Sequence, residues 1–146
     1  MKLVTRNVDY AVRALCFMAA EKKHKQNGVV SVSELVSRLN VPRPFLRKIL
    51  QILNNKGVLN SQKGKGGGFE LVVVPEKIYL ADLIEAFHGP LKLNECCLMK
   101  NICSAVRTCA LKGKIDSIER RVIKELKTIN IKSLLSGRTR AKSLTQ

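Results

Sequence analysis

Apolar positions along the first two dozen residues fall at Val8, Val12, Leu15, Met18 and Ala19, steps of three and four that line one helix face and predict a helix over residues 7–22. Cys16 lies one turn beyond Val12 and reads as a small buried hydrophobe. Residues 21–28 are polar and form a loop, with His24 a solvated member of it. Val29, Val30 and Val32 suggest a short β segment. Ser33 then reads as an N-cap, with Glu34 favouring the dipole of a helix over 34–39. Asn40-Val41-Pro42 makes a turn, and the next helix runs from Arg43 to Asn55 and closes at Gly57. Its apolar set is Phe45, Leu46, Ile49, Leu50 and Leu53.

Residues 58–61 read as a strand, 62–68 as a glycine-rich turn and 69–73 as the returning strand, with Pro75 ending the unit. Two helices joined by a short turn and followed by such a hairpin make a winged helix-turn-helix. A short helix over 79–87 carries Leu80, Leu83, Ile84 and Phe87 on one face and is closed by Gly89-Pro90. Residues 93–109 read mostly as loop. Beyond them Ile115, Ile118, Val122, Leu126 and Ile129 step by 3, 4, 4 and 3, a seam like the a and d positions of a coiled coil. One apolar stripe on a long helix needs a partner, and a second subunit is the expected one. Residues 138–142 lack apolar periodicity and read as disordered.

The expected fold class is therefore mainly α with a small β-wing: a winged helix-turn-helix plus a long C-terminal dimerisation helix. The chain divides into a winged helix-turn-helix DNA-binding unit over 1–75, a connecting helix over 76–92, a cysteine-rich loop over 93–112, a dimerisation helix over 113–136 and a basic tail over 137–146.

Charge sharpens this picture. The 146 residues carry 27 Lys and Arg against 11 Asp and Glu, a formal net charge of +16, which points to a polyanionic partner. An anionic membrane surface is the other standard reading of such a surplus, but no apolar run approaches the roughly 18 residues of a membrane span. The start is basic, yet Asn7 and Asp9 interrupt any signal-like apolar run, so a soluble cytoplasmic protein is expected. Between Glu34 and Glu70 there is no acidic residue, while Arg38, Arg43, Arg47, Lys48, Lys56, Lys63 and Lys65 all occur. Arg43 and Arg47 are four apart on the presumed recognition helix, with Lys48 beside them. One of the two arginines suits guanine, and the other cations suit phosphates. Lys63-Gly64-Lys65 suits a minor groove or flanking phosphates, because glycine lets the backbone come close. The glycine run lacks the order of a nucleotide phosphate loop, and no helix follows it.

Of the five cysteines, Cys96, Cys97, Cys103 and Cys109 fall within fourteen residues. Cys97, Cys103 and Cys109 are spaced Cys-x5-Cys-x5-Cys, which is not a zinc knuckle. Residues six apart do not share a helix face, so this segment must wrap around whatever it binds. Soft thiolates on a wrapping loop suit an iron–sulfur cluster; free or redox-active thiols are the alternative.

Several motifs together resemble the Rrf2 family of bacterial repressors, of the IscR, NsrR and RirA type. They are Thr5 with Tyr10-Ala11-Val12-Arg13-Ala14-Leu15, residues 46–53, Lys63-Gly64-Lys65-Gly66-Gly67-Gly68-Phe69-Glu70-Leu71, residues 78–86, Gly89-Pro90-Leu91 and the three spaced cysteines. The resemblance covers nearly the whole chain. It implies a homodimer that binds palindromic double-stranded promoter DNA and holds one iron–sulfur cluster per subunit, with Thr5 added to the DNA-binding set. IscR-like members carry a His three residues after the last Cys, where this chain has Lys112. NsrR-like members use a carboxylate near the N-terminus, donated by the partner subunit, and Asp9 stands at that position. The ligand set that the resemblance implies is Cys97, Cys103, Cys109 and Asp9, holding a 4Fe-4S cluster, with 2Fe-2S open and Cys96 a competitor of Cys97. His88, where the family has an acid before Gly-Pro, reads as incidental.

The expected function is a repressor that senses iron–sulfur status, nitric oxide, redox or iron. A cluster-free thiol or metabolite-linked regulator of the same fold, or a non-specific nucleic-acid binder, are the alternatives. Two isolated His, and neither a Ser/His/Asp set nor paired carboxylates, give catalysis no starting point, so an enzyme is not expected.

Overall fold

In a computed structural model of the chain, residues 2–93 and 108–142 are described, with side chains as far as residue 137. The first helix, α1 (Arg6–Glu21), buries Val8, Ala11, Ala14, Leu15, Cys16, Met18 and Ala19, so Cys16 is the core thiol that its spacing predicts. A two-residue strand, β1 (Val29–Val30), leads into α2 (Val32–Leu39).

The cap of α2 corrects the sequence reading. Ser31, not Ser33, is the N-cap, and its Oγ accepts the Glu34 amide at 3.1 Å. Ser31 and Glu34 stand three apart, the spacing of a capping box. Val32 is consequently the first residue of the helix and not the last of a strand. Asn40 ends α2 in the left-handed region at φ 52, one of the few side chains that tolerate it. The recognition-type helix α3 (Arg43–Asn55) follows directly.

The wing is made of β2 (Leu59–Gln62) and β3 (Gly68–Leu71), antiparallel in the register Leu59↔Leu71 to Gln62↔Gly68. β1 pairs with the other edge of β3 through Val29↔Glu70 and Val30↔Phe69, so the sheet order is β1-β3-β2. Lys22 at the end of α1 donates to the Leu71 carbonyl at 2.7 Å and ties the first helix to the wing. A 3-10 turn over Pro75–Lys77 leads to α4 (Leu80–His88).

The C-terminal half departs furthest from the sequence reading. The seam from Ile115 to Ile129 predicts one helix over 113–136. Two are present: α5 (Ala110–Leu126) and α6 (Ile131–Lys142). The break has a local cause. Asn130 Oδ1 accepts the Ser133 amide at 2.8 Å while Ser133 Oγ accepts the Asn130 amide at 3.2 Å, a reciprocal cap that starts a new helix. The segment between the helices also pairs with the chain before α4: Leu80 donates to the Ile129 carbonyl and Ile131 to that of Ile78. α6 packs on α1 and on the 3-10 turn, with Ile131 buried, and the residues read as a disordered tail continue it as helix to Lys142.

The core joins both halves. Leu15, Leu35, Leu46, Leu50, Leu53, Leu71, Leu83 and Ile131 are among its fully buried side chains, each contributing about 1.5–3 kcal/mol by leaving water. Among the described residues, no buried side chain is polar or charged.

Candidate nucleic-acid interface

α3 is strongly two-sided. Leu46, Ile49, Leu50 and Leu53 are buried, while Arg43, Pro44, Arg47, Lys48, Gln51 and Asn55 are exposed. Turning 100° per residue, Arg47, Gln51 and Asn55 follow one another at steps of four along the outward side, and Lys48 flanks them. The acids that bound the cationic stretch are both engaged. Glu34 is paired with Lys25 at 2.5 Å, and Glu70 accepts from Asn60 at 3.2 Å. The exposed side of α3 therefore carries cations, amides and an apolar ring but no acid.

Each basic residue expected on the interface has a definite place. Arg47 and Lys48 point outward from α3. Arg43, at its first position, donates through a guanidinium nitrogen to Ser33 Oγ at 2.7 Å, which bridges the starts of α2 and α3. Ser33 thus acts as a tie between the two helices rather than as a cap. Arg38 is exposed in the last turn of α2. Lys63 and Lys65 are exposed on the loop between β2 and β3. That loop is tight: a side-chain carbon on Gly67 would run into the Gln62 carbonyl, and one on Gly68 into the Val30 carbonyl. The glycines there are required by close backbone approach.

Thr5 has a partner in α4. It is the N-terminal flanking residue of α1, and its hydroxyl lies 2.6 Å from His88 Nε2 at the end of α4. His88 is accordingly not incidental, because it ties the start of α1 to the exit of α4. Gln51, Asn55 and an exposed Phe45 are surface residues of α3 that sequence reasoning missed. For Gln51 and Asn55 the signal was available, since they continue the spacing that begins at Arg43 and Arg47. Gln51 Nε2 donates to Asn55 Oδ1 at 3.4 Å, and amide side chains of this kind pair with adenine.

The expected metal ligands are only partly described. Cys97 and Cys103, like Cys96, lie outside the described residues. Cys109 is a free, half-buried thiol that flanks the N-terminus of α5 and accepts the Lys112 amide at 3.5 Å. Lys112, where IscR-like members carry His, is paired with Asp116 at 2.7 Å. Asp9 is half-exposed in the first turn of α1 and is paired with Arg13 at 3.0 Å. Such a surface pair is worth about 0–1 kcal/mol, so the carboxylate is easily released to another partner. Among the described residues no three His, Cys, Asp or Glu side chains gather into a metal site. No helix among them is long and apolar enough to cross a membrane.

Comparison with known proteins matches this architecture. A protein of Aquifex aeolicus (strain VF5) named as an HTH-type transcriptional regulator is 34% identical over 131 residues, 88% of each chain. The HTH-type transcriptional regulator NsrR of Shouchella clausii (strain KSM-K16) is 26% identical over 144 residues, 98% of this chain and 95% of that one. The solved structure of T. potens IscR superposes with a TM-score of 0.73 at 21% identity, covering 97% of this chain and 90% of that one, and shares the fold. The family described as Rrf2, iron-dependent transcriptional regulator, matches residues 4–137. The mostly helical chain, with its three-stranded wing and cationic helix edge, belongs to the Rrf2 family of DNA-binding transcriptional regulators, and these are not enzymes.

Proposed function

We propose that the protein is a homodimeric, cytoplasmic repressor whose hold on promoter DNA is set by an iron–sulfur cluster. Arg43, Arg47 and Lys48 of α3 enter the major groove, Lys63 and Lys65 of the wing take the flanking groove or phosphates, and Arg38 and Thr5 add contacts at the edge. Cys97, Cys103 and Cys109 of one copy, with Asp9 of the other, hold the cluster, four-iron in preference to two-iron.

The observation that carries this reading is the position of Cys109. It opens α5, a helix that buries none of its residues within the chain. A ligand at that point links the state of the cysteine segment to the helix best placed to meet a second copy. Two recognition helices must sit about 34–36 Å apart to reach adjacent major grooves, so a small shift along the dimer helix changes whether both engage. The donor set fits the group: three soft thiolates, and a carboxylate whose existing partner is weak. When bound, the cluster would supply a link that oxidants, nitric oxide or iron shortage can break, most readily at the harder oxygen ligand.

Anaerobic reconstitution tests this. The protein is expected to take up iron and sulfide with the visible absorbance of a thiolate-ligated cluster. It should then bind a duplex selected from a random pool with an affinity that changes when the cluster is removed. Asp9→Ala should lose the cluster faster than the parent. Equal affinity with and without cluster would sink the sensing reading, and indifference to duplex sequence would favour a non-specific binder.

A further inference from the structure

Phe45 is the large apolar side chain that the fold leaves on the outer surface of α3. It occupies the third position of the helix, and 47% of it remains in solvent, whereas its neighbour Leu46 is fully buried. The ring is nevertheless fixed. It meets Tyr10 of α1 edge to face, with centroids 6.3 Å apart and planes at 90°. Edge-to-face pairs hold a definite orientation, so the ring is set before any ligand arrives. Lys48, three residues on, borders the same shallow pocket as the ring, together with Asn7, Ile52 and Phe87.

An apolar ring beside a cation, near the N-terminus of such a helix, fits one feature of duplex DNA. In the major groove the C5 methyl of thymine is the apolar group that a base edge presents, and cytosine lacks it. A cation that meets phosphate brings the helix to the duplex but distinguishes no sequence. We propose that Phe45 is a specificity-determining residue, whose ring packs on the methyl group of a thymine in each half-site. This rests on α3 being the helix that enters the major groove.

The experiment uses the full chain and a duplex selected from a random pool. Each thymine is replaced in turn by deoxyuridine, which removes only the methyl. At one symmetry-related pair of positions the parent protein should lose about fourfold in affinity per methyl, the amount that burying one such group contributes. Phe45→Ala should bind the thymine duplex more weakly and be indifferent to deoxyuridine at that pair, while responding as the parent does elsewhere. Indifference of the parent at every position overturns the inference, and so does a variant that responds like the parent. Should Phe45→Ala fail to fold, Phe45→Leu decides: its methyl sensitivity is expected to shrink, and an unchanged response overturns the inference. Thermal melts with equilibrium sedimentation identify a ring that instead packs against a second copy, since the variant would then weaken the dimer and leave the deoxyuridine pattern intact. Failure of the underlying reading looks different. Arg47→Ala and Lys48→Ala would then bind the site as tightly as the parent, whereas failure of the Phe45 inference alone leaves both weakened.

Discussion

Leu35, Leu46, Leu50 and Leu53 of the winged-helix unit are fully buried by their own chain, while α5, with seventeen residues, buries none. Both regions carry apolar residues at helical spacing. In the first, every stripe meets another element of the same fold: α2 and α3 pack on each other and on α1, and the wing closes the other side. In the second, Ile115, Val122, Ile123 and Leu126 are half-covered and Ile118 is 48% exposed. Among the described residues, Glu119 accepts the Leu93 amide at 2.8 Å and Ile123 with Leu126 borders α4. An apolar period tells that a face will be covered; it does not tell by which chain.

Substitutions should separate the two kinds of face. Leu46→Ala leaves a hole in a closed core, and it is expected to lower stability by about 2–5 kcal/mol, seen as one concentration-independent fall in melting temperature. With α5 as the proposed dimer helix, Ile118→Ser should act on assembly. Half of an isoleucine is worth about 1 kcal/mol and a two-fold interface repeats it, so the dimer should weaken by about 2 kcal/mol, roughly thirtyfold in dissociation constant. Sedimentation and melts across a range of protein concentration check this. A concentration-independent loss in Ile118→Ser as large as that of Leu46→Ala would mean that α5 is held by its own chain after all.

A smaller effect sharpens the comparison inside the winged-helix unit. Ser31 caps α2 and Ser33 receives Arg43. Ser31→Ala should cost about 1 kcal/mol in urea denaturation, as loss of an N-cap does. Ser33→Ala should stay within about 0.5 kcal/mol, the range of ordinary surface changes. The reverse order would restore Ser33 as the cap.

These serines also mark how far the sequence could be read. The fold class was legible because each helix of the winged unit has its own stop: Pro42 before α3, Gly57 after it, Pro75 after the wing. α3 was placed from Arg43 to Asn55, as the structure has it. The start of α2 was not, because two serines two residues apart both look like caps, and only the geometry of Glu34 chooses between them. The break between α5 and α6 was hidden for a related reason. Ile129 keeps the apolar rhythm of α5 beyond its end at Leu126, while the signal for a new helix is a pair, Asn130 and Ser133, which starts α6 where the chain turns back to pair with Ile78 and Leu80. On the interface, the charges of Arg43, Arg47 and Lys48 were visible at once. The exposure of Phe45 was not, since an aromatic at core spacing is expected inside. The roles of Thr5 and His88 depend on a contact across 83 positions, which no local pattern carries.

The smallest expected effect concerns the clasp that holds α6 to the winged unit. Lys132 at the start of α6 pairs with Glu76 of the 3-10 turn at 2.8 Å. The hydrogen bond from Lys132 holds the Glu76 carboxyl below its ordinary value, a backbone hydrogen bond at Glu76 adds to this, and slight burial opposes it. A carboxyl that is more acidic in the folded chain stabilises the fold when the pH lies above its unfolded value. That contribution disappears as the pH falls through the lower folded value. Both side chains are about half exposed or more, so the effect is small and screened by salt. Glu76→Gln should therefore melt slightly below the parent at neutral pH, and the two should converge in acid or in high salt. Hydrogen exchange at the α6 amides should show the same convergence, while the amides of α5 stay indifferent to the substitution. A gap between parent and variant that holds constant from neutral pH into acid would assign the loss to packing at Glu76 and not to its charge.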